Sequence, residues 1–239
     1  MYAALGDSMS IDLYAGGPGR GAASLLWRNR DDDFPAWAGR DLTARDATAH
    51  LALLASDGAT STTVAGEQLR RLRGLELVPT LATVTMGGND LLTAYGDVTA
   101  ARRAIQTVTS NGRRVLAGLR ALMGPEAPIM VATVYDPSDG TGDALRLGLP
   151  VWPEALSLLA ELNEVLRDLA EEYRALVADI HGRFLGHGLA TGDPAQPDPR
   201  PANGGLWYCG LIEPNAWGAS EIRAAFWEAL DPNGDWGPS

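Results

Sequence analysis

Leu81-Ala82-Thr83-Val84-Thr85-Met86-Gly87-Gly88-Asn89-Asp90 is an apolar, β-branched run cut off by two glycines and two polar residues. The first six residues read as a buried strand. The two glycines let the chain turn sharply and approach its neighbours closely behind that strand. The same arrangement occurs at the start of the chain, where the short apolar run Tyr2–Leu5 stops at Gly6-Asp7-Ser8. It recurs where the run from His50 to Ala55 meets Ser56-Asp57-Gly58-Ala59-Thr60-Ser61, and where Ile129 to Val134 meets Tyr135-Asp136-Pro137. Leu176 to Ile180 supplies a fifth strand.

Helical periodicity fills the intervals. Apolar positions step by three and four through Val98, Ala101, Ile105, Val108, Val115, Leu119 and Leu122, with Gly112 in the one gap. Glu154 to Tyr173 keeps Leu159, Leu162, Leu166 and Leu169 in register, and the last helix runs from about Ala216 to Leu230. Shorter helices are expected over residues 34–42 and 62–73, and residues 9–33 read as a long glycine-containing loop. Strand and helix alternate throughout. That alternation predicts one α/β domain over residues 1–239 with a parallel sheet, right-handed crossovers and a frayed tail over 231–239.

Composition narrows the function classes. With 239 residues the chain is long enough for a substantial core, and its formal net charge of −11 argues against nucleic acid or an anionic membrane surface as partner. No run approaches the roughly 18 apolar residues of a membrane span, and no leader precedes the first strand, so a cytoplasmic location is the default expectation. Cys209 is the only cysteine, which leaves neither an internal disulfide nor a cysteine metal cluster. Asp31-Asp32-Asp33 reads as a solvated acidic loop rather than a metal site. The glycines between Gly16 and Gly21 lack the spacing and the Lys-Ser/Thr ending of a phosphate loop.

In a parallel sheet the strand ends at Ser8, Gly58 and Asn89 share one edge, where a switch in strand order opens a crevice. Ser8 brings a hydroxyl, Gly58 an unobstructed backbone N–H, and Asn89 a side-chain amide. A serine beside hydrogen-bond donors is the equipment of acyl transfer: the hydroxyl attacks a carbonyl and the donors hold the oxyanion.

Gly6-Asp7-Ser8, the Gly58-Ala59-Thr60-Ser61 turn and Gly87-Gly88-Asn89-Asp90 resemble the first three blocks of the SGNH hydrolases, or GDSL esterases/lipases. The resemblance implies a flavodoxin-like three-layer α/β/α sandwich with a five-stranded parallel sheet. It also implies Ser8 as nucleophile, an oxyanion hole made of the Ser8 N–H, Gly58 and Asn89, an ester or acylated small molecule as substrate, and no metal or organic cofactor. Oligomeric state is not readable.

The chain departs from the family in its last block. An Asp-x-x-His-Pro motif is expected before the final helix, whereas the matching stretch is Gly210-Leu211-Ile212-Glu213-Pro214-Asn215. Three readings follow. Glu213 is itself the base: an ordinary glutamate pKa of about 4.3 lies far below a serine hydroxyl and would keep activity below the range where histidine is lost, whereas partial burial near Trp207 or Trp217 would raise it and make a better acid for the leaving group. Alternatively His187 or His181, both following the fifth strand, supplies the base. In the third reading catalysis is weak or lost and the fold binds a ligand. An O-acyltransferase is a further alternative, because an acyl-enzyme passes equally to an alcohol.

Other residues have plainer expectations. Asp7 fixes the turn and orients Ser8. Arg223, if it reaches Glu213, would lower that carboxyl's pKa. His50 reads as core or strand edge. Cys209 reads as a small buried residue. Trp207, Tyr208 and Trp217 either line an aromatic pocket or pack the last helix.

Overall fold

In the computed structural model, residues 1–233 are described. Five parallel strands run β1 (Tyr2–Leu5), β2 (Leu51–Leu53), β3 (Leu81–Val84), β4 (Ile129–Ala132) and β5 (Leu176–Ala178), arranged in the order β2-β1-β3-β4-β5. The order reverses between β1 and β3, and the crevice at such a switch point lies beyond the carboxyl ends of the strands. Residue 8 follows β1 there and residues 87–89 follow β3.

The first helices are α1 (Ala22–Trp27), α2 (Leu42–Arg45), α3 (Ser61–Thr63) and α4 (Leu69–Arg73), the last two joined by the π-helical turn Val64–Gln68. They are followed by α5 (Gly88–Thr93), α6 (Val98–Met123), α7 (Ala155–Glu172), α8 (Ile180–Phe184) and α9 (Ala216–Leu230). A small antiparallel ribbon, β6 (Tyr208–Cys209) with β7 (Glu213–Pro214), stands apart from the main sheet.

Strand side chains alternate between two cores, as the two-residue period of a strand requires. Ala3, Leu5, Ala82, Val84, Ile129 and Val131 join the layer formed by the π turn, α4, α6 and α7. Tyr2, Ala4, Met130, Ala132 and Ala178 face α1 and α9 on the other side. Both faces are thereby covered, which is why the strands carry apolar residues at nearly every position. The three-layer α/β/α sandwich anticipated from the sequence is the observed architecture.

The long helices follow the sequence closely. Ala101, Ile105, Val108, Val115 and Leu119 are buried along α6, and Gly112 sits against Leu169 of α7. Two expectations fail nearby. The helix expected over 34–42 is instead a 3-10 turn, Pro35–Trp37, followed by a fresh start at Leu42, where the Asp41 carboxylate caps Ala44 N–H. Pro35 and Gly39 interrupt the intervening backbone, and apolar spacing alone did not reveal this. The loop expected over 9–33 contains α1, whose residues Ala22 to Leu26 are all buried. His50 is exposed just before β2 and lends only its carbonyl, to Tyr2 N–H. Of the expected tail, residues 234–239 lie outside the described residues.

Candidate active site

The turn after β1 is held from below and from both sides. Gly6 has φ +136°, and a Cβ there would run into Thr85 Oγ1 and the Thr85 carbonyl of β3's extension. The Gly6 peptide is gripped by Gln68: Gly6 N–H donates to Oε1 at 2.7 Å and Nε2 donates to the Gly6 carbonyl at 2.8 Å. Asp7 N–H donates to Thr85 Oγ1 at 3.1 Å, and Asp7 Oδ1 accepts Met9 N–H at 3.2 Å across Ser8. Burial raises the Asp7 carboxyl to about 6, with the Thr85 and Met9 hydrogen bonds opposing the rise. Asp7 therefore shapes the loop on which Ser8 is carried.

The two donor-bearing turns are tied to each other. Asn89 Nδ2 donates to Ala59 O at 3.0 Å, next to Gly58, which leaves the second amide hydrogen of Asn89 uncommitted. Asp90, on the next position, accepts from both the backbone N–H of Ser61 (2.8 Å) and its hydroxyl (2.6 Å). Asn111 of α6 donates to the same hydroxyl at 3.0 Å. Gly58 adopts φ +65° and is exposed in a left-handed turn. Ser8 and Asn89 line one cavity.

Glu213 arrives on the β6–β7 ribbon. Cys209 pairs with it in register, Gly210 and Leu211 both turn with positive φ, and Tyr135 Oη donates to Ile212 O at 2.6 Å. Asn215, fully buried, caps α9 through Trp217 and Gly218 N–H and donates to Leu206 O and Tyr208 O, which fixes the ribbon to the helix. Burial raises the Glu213 carboxyl to about 7; the nearby Ser8 side chain opposes this, and Asp57 and Asp7 add to it. Oε2 is buried with no hydrogen-bond partner among the described residues. Tyr14, a residue without any signal in the sequence, donates to both Asp57 oxygens at 3.2 Å beside this carboxyl. The carboxyl is raised, as partial burial was expected to do, so activity dependent on Glu213 would not persist far below neutrality and a pH profile would not separate a Glu213 base from a histidine.

The histidines are engaged elsewhere. His187 stacks flat on Trp207 at 3.4 Å, and its Nδ1 is 2.8 Å from Gly205 O. His181 Nδ1 is 3.1 Å from Val134 O. Arg223 does not reach Glu213. It is buried against Trp37, with its centre 3.8 Å from the ring, and bonds Asn29 and Ser220. Trp207, Tyr208 and Trp217 pack among Phe184, Tyr135, Phe34 and the last helix rather than lining the cavity.

The acidic run is partly committed too, because Asp33 pairs with Arg20, Arg30 and Arg200. In the glycine loop, Asp12 already occupies the N–H groups of Gly19 and Gly21. Among the described residues no group of three or more His, Cys, Asp or Glu is placed to hold a metal ion. Nor is any described helix long and apolar enough to cross a membrane.

A cavity of about 160 Å³ opens beside Ser8. Residues 136–153 supply much of its wall through Pro137, Ala144, Leu147, Leu149 and Trp152.

The family model described as GDSL-like Lipase/Acylhydrolase matches residues 4–219. Among solved structures, the chain resembles an alpha/beta hydrolase enzyme from the metagenome of Lake Arreo, Spain, at 20% identity and TM-score 0.63, covering 95% of this chain and 93% of that one. It also resembles an acetylxylan esterase from Geobacillus stearothermophilus, at 16% identity and TM-score 0.61 over 100% and 96% of the two chains. Phospholipase A1 from Streptomyces albidoflavus NA297 superposes at 23% identity and TM-score 0.56 over 97% and 98%. No curated protein matches the sequence.

Proposed function

Because the chain belongs to the GDSL-like lipase/acylhydrolase family, we propose that it hydrolyses esters through a Ser8 acyl-enzyme, with Glu213 in the role of the usual histidine. The observation that carries this reading is the placement of the Ser8 side chain close enough to act on a carboxyl that burial has raised to about 7. Near neutral pH such a carboxyl is present in both forms, as a group that takes a proton and returns it must be.

Ionised Glu213 accepts the Ser8 proton as Oγ bonds to the ester carbon. The tetrahedral oxyanion is received by the N–H groups of Ser8 and Gly58 and by the free amide hydrogen of Asn89. When the ester C–O bond breaks, Glu213 returns the proton to the departing alkoxide, releasing an alcohol. Water then repeats the sequence on the acyl-enzyme: Glu213 takes its proton, the hydroxyl adds to the carbonyl, and Ser8 leaves with the proton restored. A carboxylate needs no third residue to fix a tautomer, which accords with Gly210 standing at the position of the family's aspartate.

The test is turnover of p-nitrophenyl esters beside Ser8→Ala, Glu213→Gln and His187→Ala. The expected result is loss of activity in Ser8→Ala, a fall of about 10²–10⁴ in kcat for Glu213→Gln, and near wild-type rates for His187→Ala. Full activity in Glu213→Gln with loss in His187→Ala would move the base to the histidine. Equal rates in wild type and Ser8→Ala would leave a ligand-binding module.

A further inference from the structure

We propose that the cavity beside Ser8 is an acyl pocket, and that the protein selects a medium-length, unbranched acyl group of about six carbons over acetyl. This assignment rests on the hydrolase reading above and adds the substrate class.

The first argument is chemical polarity. The wall is built from Leu92, Tyr95, Leu147, Trp152, Leu156 and Leu159. Polar groups that reach it are already engaged. Tyr95 Oη donates to Pro150 O at 3.0 Å, which turns the phenol outward and leaves its ring packed edge-on against Trp152 at 4.8 Å. Asp136 accepts Ser138 N–H at 2.8 Å and Gly140 N–H at 2.7 Å, and Ser138 Oγ accepts Gly142 N–H at 3.0 Å. A sugar or a phosphate placed here would exchange water for hydrocarbon, which is costly without new partners. An alkyl chain gains by the same transfer.

The second argument is direction. Glu213 protonates the leaving alcohol in the proposed reaction, so the alcohol departs on the Glu213 side of Ser8. Glu213, Tyr14, Asp57 and Gly58 are all absent from the cavity lining, whereas Ser8 and Asn89 are in it. The cavity therefore receives the group on the other side of the scissile bond, the acyl chain.

The third argument is size. A void of about 160 Å³ matches the order of volume known to hold a benzene-sized, roughly six-carbon guest in an apolar core.

The experiment measures kcat/KM for p-nitrophenyl acetate, butyrate, hexanoate, octanoate and dodecanoate. Each fully buried methylene contributes about fourfold, so the four that separate hexanoate from acetate are expected to raise kcat/KM by up to about 200-fold, with a decline by dodecanoate. Ala155→Phe, which adds a ring to the wall at the start of α7, is expected to lower the hexanoate-to-acetate ratio at least tenfold. Leu147→Ala, a second variant that opens the wall, moves the optimum to longer chains.

Calorimetry of methyl acetate and methyl hexanoate with Ser8→Ala reads the pocket without turnover, and hexanoate is expected to bind more tightly. An acetate optimum, or a ratio unchanged in both wall variants, overturns the pocket assignment while leaving the hydrolase reading intact. Equal binding of the two methyl esters also overturns it. Tighter hexanoate binding by a protein that hydrolyses no ester upholds the pocket and overturns the hydrolase reading instead.

Discussion

Tyr135 donates a 2.6 Å hydrogen bond to the carbonyl of Ile212, the residue immediately before Glu213. Tyr135 follows strand β4 of the main sheet, and its buried ring stacks on Phe184. The bond thus transfers the rigidity of the main sheet to a ribbon that is not part of it. Tyr135→Phe keeps the ring and deletes the bond. The expected outcome is a loss of about 1–2 kcal/mol in urea unfolding and roughly a tenfold fall in kcat with KM little changed. The pH dependence of kcat should keep its midpoint, because the burial of Glu213 remains.

The raised Glu213 pKa makes two pH predictions. Activity should increase as pH rises through about 7, where the base ionises. Stability should move the other way. A carboxyl whose folded pKa lies above its unfolded value of 4.5 favours folding below that value, and the contribution is lost as pH climbs towards about 7. Discounted for partial exposure, the change is about 1–2 kcal/mol. Asp7, raised to about 6, acts in the same direction over a lower window. Glu213→Gln is expected to be more stable than wild type at pH 8 and to flatten the slope between pH 5 and 8, as read by chemical denaturation at each pH.

Asn89→Ala removes the proposed oxyanion donor along with the bond to Ala59 O. Loss of one such donor lowers kcat by about 10²–10³ in acyl transfer, and KM should change little. Ser61→Ala, which leaves Asp90 with a single partner from that turn, should lower kcat less while destabilising the fold by about 1 kcal/mol. Steady-state kinetics and thermal unfolding of the two variants separate a donor from a brace.

Gln68→Leu preserves volume and strands the Gly6 N–H in the core. The expected cost is about 2–3 kcal/mol, seen as a lower urea midpoint with an unchanged slope. Any remaining folded protein should have a reduced kcat, because the Gly6 peptide sets the position of the Ser8 loop.

The sheet was legible because each strand is a short apolar run ending in glycine and polar residues, and because α6 and α7 repeat their apolar positions over many turns. Ser8, Gly58 and Asn89 were legible for the same reason: they lie at strand ends. Gln68 was not, since its significance is a contact with a residue 62 positions away. Helix α1 was hidden because Ala22 to Leu26 is buried as a block and shows no polar face. The direction of Arg223 was equally hidden. An arginine two helical turns inside α9 can face the ribbon or the opposite side, and only the packing of Trp37 and Asn29 decides it. The pKa of Glu213 depends on burial by residues from distant parts of the chain, and spacing carries no such information.

Most of the apolar cavity wall comes from a different part of the chain than the groups assigned to the proposed reaction. Loops after β1, β2 and β3 carry Ser8, Gly58 and Asn89, while one continuous stretch from Pro137 to Leu159 supplies most of the apolar wall. In the proposed reaction, substrate preference can therefore drift, or be transplanted between homologous folds, by exchanging a single contiguous cassette. Selection on what is cleaved and selection on how it is cleaved act on separate pieces of the gene.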